Sequence, residues 1–173
     1  MTKKDQFIIH HHNKYYTKLR FYKLMKEQEY YLGDYCSPDG YIALRGFYIK
    51  QNDHYILHGN VMEYTRSDEI ISESKYEYGV KVSGKDYYYT LPNKLKYEGN
   101  YYNEKMHGLG RLYNREGDYI EINFNMNIPY GCGIYYNSKT KKEIIIEVNN
   151  KEWYNIIQQL EWQELFCSKA IFV

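Results

Sequence analysis

Residues 97–118 read YEGNYYNEKMHGLGRLYNREGD, and YGCGIYY follows at 130–136. Residues two apart on a strand share a face. Tyr97, Gly99 and Tyr101 therefore line one side of a first strand, and Gly108, Gly110 and Leu112 one side of a second. NEKMH, residues 103–107, has the length of a hairpin loop. Glycine at alternate positions leaves bare backbone, against which an aromatic from the neighbouring hairpin can lie flat. The Gly-x-Gly pairs are thus packing devices rather than phosphate cradles.

The pattern recurs. Gly108 and Gly110 return as Gly131 and Gly133, an offset of 23 that also carries Tyr101 to Phe124 and Leu112 to Tyr135. Stepping back by the same amount, Lys85 and Tyr87 stand where the glycines were. Further back, YLGDYCSPDGY (31–41) repeats the small-x-aromatic step and ends in a Pro-Asp-Gly turn. Pro38 and Pro92 are 54 apart, two periods plus eight, which implies a divergent unit at 43–73 with an insertion near KQNDHYIL. A lone hairpin is marginal in water, so such units must stack side by side and be capped at both ends.

The stretch 97–113 closely resembles the MORN repeat (membrane occupation and recognition nexus), whose pattern runs Tyr-x-Gly-x-aromatic, a turn, then His-Gly-x-Gly-x-Tyr. Tyr97, Gly99, Tyr101, His107, Gly108 and Gly110 match it, and Leu112 fills the last aromatic place. Phe124, Gly131, Gly133 and Tyr135 carry the next unit. The resemblance implies an all-β fold: an elongated single sheet of consecutive antiparallel hairpins with a C-terminal capping helix. It divides the chain into a basic arm (1–19), a repeat sheet (20–148, in units 20–42, 43–73, 74–96, 97–119 and 120–142) and a helix with apolar tail (149–173). In this register residues 20–26 and 30–36 make the opening hairpin.

Composition bounds the rest. The chain has 173 residues, mean hydropathy −0.77 and 24 tyrosines, which favour strands with half-wet faces. No apolar run approaches the roughly 18 residues of a membrane helix. Net charge is +1, which argues against nucleic-acid binding. It divides unevenly, +6 over 1–26, −2 over 27–142 and −3 over 143–173. The basic arm is either a solvated extension or a targeting segment. Cys36, Cys132 and Cys167 are far apart, and no Cys-x-x-Cys occurs, which favours a reducing compartment. Adjacent His10, His11 and His12 cannot all face one ion from a strand. GVKVSGKD (79–86) imitates a phosphate loop, but Asp86 stands where Ser or Thr must hold magnesium, and a strand pattern follows instead of a helix.

At the C-terminus, Asn149 and Glu152 open a helix pattern. Trp153, Ile156, Ile157 and Leu160 share one face, while Trp162, Leu165 and Phe166 point elsewhere. That second set either folds back beneath the sheet or meets a partner.

The resemblance implies a non-catalytic module binding other protein subunits in a larger assembly, cytoplasmic and cytoskeleton- or membrane-associated, with a mitochondrial address as the alternative reading of the arm. Expected partner contacts are Tyr101, Tyr102, Tyr113, Tyr135, Trp162, Leu165 and Phe166. The alternative is an anionic membrane surface met through Lys139, Lys141 and Lys142. No cofactor, metal, catalytic set or small-molecule substrate is expected.

Overall fold

The computed structural model describes residues 30–52 and 54–148 in full, and within 1–29 the backbone of four strands. The chain is all-β, and no helix occurs among the described residues. The expected C-terminal helix, with Trp153, Ile156, Ile157, Leu160, Trp162, Leu165 and Phe166, lies outside them. The strands are β1 (Gln6–Phe7), β2 (His10–His11), β3 (Lys14–Tyr15), β4 (Lys18–Met25), β5 (Tyr30–Cys36), β6 (Ile42–Gln51), β7 (His54–Tyr64), β8 (Ile70–Glu77), β9 (Val80–Tyr87), β10 (Leu95–Tyr102), β11 (Lys105–Tyr113), β12 (Tyr119–Asn125), β13 (Ile128–Asn137) and β14 (Lys142–Val148). From β4 onward, hairpin follows hairpin in chain order. The chain forms two compact units, 1–93 and 94–173.

Two turn types alternate, and both are local chemistry. Inside hairpins, consecutive left-handed residues make two-residue turns at Tyr78-Gly79, Asn103-Glu104 and Met126-Asn127, the geometry whose twist matches paired strands. The expected NEKMH loop is therefore corrected: Asn103 and Glu104 turn the chain, and Lys105 to His107 already belong to β11. Between hairpins, five-residue turns recur at 37–41, 65–69 and 114–118. In each, the first residue's N–H donates to the fifth residue's carbonyl (Ser37 to Tyr41, 2.9 Å; Thr65 to Glu69, 2.8 Å; Asn114 to Asp118, 2.9 Å), and the fourth residue's N–H returns to the first. That fourth residue, Gly40, Asp68 or Gly117, is left-handed, which favours Gly or Asp there.

From β4 onward, the β4–β5, β6–β7, β8–β9, β10–β11 and β12–β13 hairpin pairings each carry a register shift. Gly59, Gly108 and Gly131 sit at or beside three of these shifts with φ of +84°, +70° and +76°. A second set of small residues meets in the ladders: Gly33 opposite Gly46, Ser74 opposite Gly84, and Gly99 opposite Gly110. Gly84 therefore holds the place of Gly110 in the preceding hairpin, and the assignment to Lys85 and Tyr87 is corrected. The phosphate-loop look-alike is a two-residue turn followed by β9.

In unit 1 the core gathers Tyr35, Tyr48, Tyr55, Leu57 and Val61, with Tyr31, Leu44 and Tyr76 packed against it. Tyr31 meets Tyr55 edge-on at 5.0 Å. Burial pushes the Tyr48 phenol far up, with the negative Asp34 nearby adding to it. Asp34, fully buried, takes a two-pronged bond from its cross-strand neighbour Arg45, 2.8 Å from Nε and 3.0 Å from Nη2. A buried carboxylate requires such pairing.

In unit 2 the inner face is a row, Tyr97–Leu112–Ile120–Tyr135–Ile144, directly paired across β10 to β14. Tyr97, Leu112, Ile120, Ile122 and Phe124 are all at most 2% exposed. Each such side chain is worth about 1.5–3 kcal/mol when buried. The Tyr97 ring meets Tyr101 at 5.2 Å and Phe124 at 5.7 Å, both edge-on, and its hydroxyl donates to the Asn100 carbonyl at 2.9 Å. This ring is what covers Gly99 and Gly110. The aromatic over the glycines thus belongs to their own hairpin, not to the neighbouring one as expected. Gly108 lies elsewhere: its conformation, not an overlying ring, demands glycine.

Candidate interaction faces of unit 2

The same alternation that buries one face of unit 2 builds the other. Strand registers place Glu98, Arg111, Glu121, Ile134 and Ile145 in one continuous cross-strand row, and Tyr113, Tyr119, Tyr136 and Glu143 in the next. Tyr119 and Tyr136 are stacked, with centroids 4.9 Å apart and planes at 19°. Tyr113 lies 5.4 Å from Tyr119. The Arg111 guanidinium sits 5.0 Å over the Tyr119 ring and donates to Glu121. That hydrogen bond is the main cause of the raised Arg111 pKa. Tyr113 donates to Glu98 at 3.4 Å, and its phenol is raised, mainly by burial.

This outer face mixes charged side chains with large apolar ones. Leu109 (54% exposed), Ile128 and Tyr130 (49% each) and Ile145 (85%) stand open on it. Ile145 is flanked along β14 by Glu143 and Glu147, both exposed. Among the described residues neither carboxylate has an ion-pair partner.

The expected contact residues divide between the faces. Tyr101 and Tyr135 are inner-face and half-buried, whereas Tyr102 and Tyr113 point the other way. Tyr102 is open, beside the His107 ring at 5.5 Å. The His107 Nδ1 is buried with no hydrogen-bond partner among the described residues. Tyr135 is an anchor: its hydroxyl donates to Asp118 Oδ2 at 3.1 Å. Asp118 also accepts from Asn114 Nδ2 (3.1 Å) and from Ser138 N and Oγ (2.7 Å each). Burial pushes the Asp118 carboxyl up, but these donors outweigh it and hold the pKa below the usual value. The network joins the 114–118 turn to the 138–141 turn. Lys139 and Lys141 in that second turn, and Lys142 at the start of β14, are all exposed.

Sequence reasoning missed three groups. Tyr119, Tyr136 and Arg111 were one; the 23-residue offset from Tyr113 to Tyr136 was the available signal. The exposed Ile145 was another. The third is in unit 1, where Ser72, Ser74, Lys81 and Asp86 replace apolar inner-face residues. Lys81 Nζ lies 2.8 Å from Asp86 Oδ1 and 3.3 Å from Ser72 Oγ, and Ser72 and Ser74 hydroxyls are 2.7 Å apart. The serines at i and i+2 in β8 were its trace.

No protein-family model matches the chain, and no curated protein matches it. Among the described residues no helix is long and apolar enough to cross a membrane.

Proposed function

We propose that this chain is a non-catalytic protein–protein interaction module, a structural subunit of a larger assembly, built from MORN-type hairpins. The observation that carries this reading is the outer face of unit 2. A stacked tyrosine pair lies one row from exposed Ile145, and exposed Leu109 and Tyr130 share this face on the far side of the Arg111–Glu121 pair. Exposed apolar side chains among polar ones mark interaction sites, and aromatic and Arg side chains are the usual anchors. The MORN assignment is supported by the paired Gly99 and Gly110, the left-handed Gly108 after His107, and Tyr97 closed over both paired glycines. Three cysteines far apart in the chain, with no Cys-x-x-Cys, fit a cytoplasmic setting.

The anionic-membrane alternative rests on Lys139, Lys141 and Lys142. Three lysines fall short of the four to eight clustered charges, roughly, that such binding calls for, and Glu143 adjoins them. Co-purification from the native cell, set beside a liposome pull-down, separates the two. Stoichiometric protein partners without lipid binding support the module. Lipid binding without protein partners contradicts it.

A further inference from the structure

The last described strand has properties that edge strands ordinarily avoid. Among the described residues β14 is hydrogen-bonded on one side only, to β13. Its seven pairs with β13 run without a register shift. It carries no proline, and its middle, Ile144–Ile145–Ile146, carries no charge. Edges are normally blunted by bulges, prolines, central lysines or a covering helix or loop, because open N–H and C=O groups template another strand. Among the described residues, which end at Val148, none of these devices is present at the centre of β14.

Its side chains define what would fit. On the outer face, Glu143, Ile145 and Glu147 follow one another at two-residue intervals, the carboxylates about 13 Å apart. A strand added alongside shares this spacing, so it would meet them with residues at i, i+2 and i+4. Two copies of β14 in the antiparallel register centred on Ile145 would set Glu143 against Glu147 at both ends, and like charges directly opposite destabilise.

We propose that β14 is a strand-addition site for an extended segment of a partner protein with the outer-face pattern basic-x-apolar-x-basic. This rests on the interaction-module reading but concerns the sheet edge, not the tyrosine face. Main-chain hydrogen bonds would supply affinity, and the two carboxylates with Ile145 would supply selection.

The test uses the full chain and fluorescein-labelled peptides containing KVIVK or EVIVE. KVIVK should bind several-fold more tightly, as two surface ion pairs allow. Glu143→Lys with Glu147→Lys should reverse the preference, with an unchanged melting temperature since both side chains are exposed. N-methylating either the valine amides or the lysine and isoleucine amides of KVIVK should block binding with one set and spare it with the other, because alternate N–H groups face the edge. A preference that does not reverse, tolerance of both methylated sets, self-association lost on Ile145→Lys, or peptide binding seen only after residues 149–173 are removed would each overturn the proposal. If native partners still co-purify with the charge-reversed protein, this inference fails while the module reading stands.

Discussion

The Tyr97 ring lies across Gly110, two residues from its own cross-strand partner Leu112, with its hydroxyl and ring edge filling the space a β-carbon at Gly110 would take. Gly99 is in the same position: an added β-carbon there would sit 2.5 Å from the hydroxyl and 2.7 Å from the Gly110 Cα. Strand propensity favours Val over Gly, but here the overpacked ring should decide. Gly110→Ala and Gly110→Val should destabilise by about 1–3 kcal/mol, Val the more. In a Tyr97→Leu background the cost of Gly110→Ala should shrink, a coupling that a double-mutant cycle in urea would measure. A higher melting temperature for Gly110→Val would show that the ring is not the constraint.

Gly131 and Gly133 look alike in sequence and should respond differently. Gly131 is left-handed with nothing within 4 Å of an added β-carbon, whereas one at Gly133 would lie 2.6 Å from the Glu121 carbonyl and 2.9 Å from the Ile122 side chain. Gly131→Asn should therefore cost under about 1 kcal/mol, since Asn tolerates that conformation. Gly133→Ala should cost about 1–3 kcal/mol because ladder backbone cannot move aside. Equal losses in chemical denaturation would contradict this division.

That pair also shows what the sequence disclosed. Hairpin periodicity and the positions of the Gly-x-Gly pairs were legible from the 23-residue offset, because the last two hairpins (95–113 and 119–137) have equal spans and their two-residue turns lie 23 apart. The offset misled at Gly84. The connection 88–94 is two residues longer than 114–118, and β8–β9 pairs with a different shift, so Gly84 lies 26 residues before Gly110. The origin of the ring over the glycines was not legible either. Alternation assigns Tyr97 to a face, but the direction in which its side chain leans is set by packing.

Asp118 makes stability depend on acid. Its folded pKa lies below the usual value of 3.8, so its contribution is fully present above that value and is lost as pH falls through the lower folded one. Asp118→Asn should remove this part of the acid dependence and lower stability by about 1–3 kcal/mol at neutral pH, since charge-assisted bonds from Ser138 and Tyr135 weaken. Unfolding midpoints measured from pH 7 down to pH 2 on both proteins check it. Parallel pH profiles would mean the carboxylate is not the anchor.

Binding to anionic lipid should be weaker than about micromolar, given three basic side chains where roughly four to eight are required. Flotation with phosphoinositide vesicles measures this. Tight binding abolished by changing Lys139, Lys141 and Lys142 together to Ala would promote the membrane reading over the protein one.

The most direct test of the interaction module is the outer tyrosine face itself. Tyr119→Ser with Tyr136→Ser removes a stack worth about 0.5–1.5 kcal/mol and leaves the inner-face residues Tyr97, Leu112, Ile120 and Phe124 untouched. Quantitative co-purification from the native cell, with unfolding curves of the same protein, is the measurement. The account predicts that partner recovery falls at least about tenfold, a loss of about 1.4 kcal/mol in binding, while the protein remains folded. Undiminished recovery from a folded double variant would contradict it.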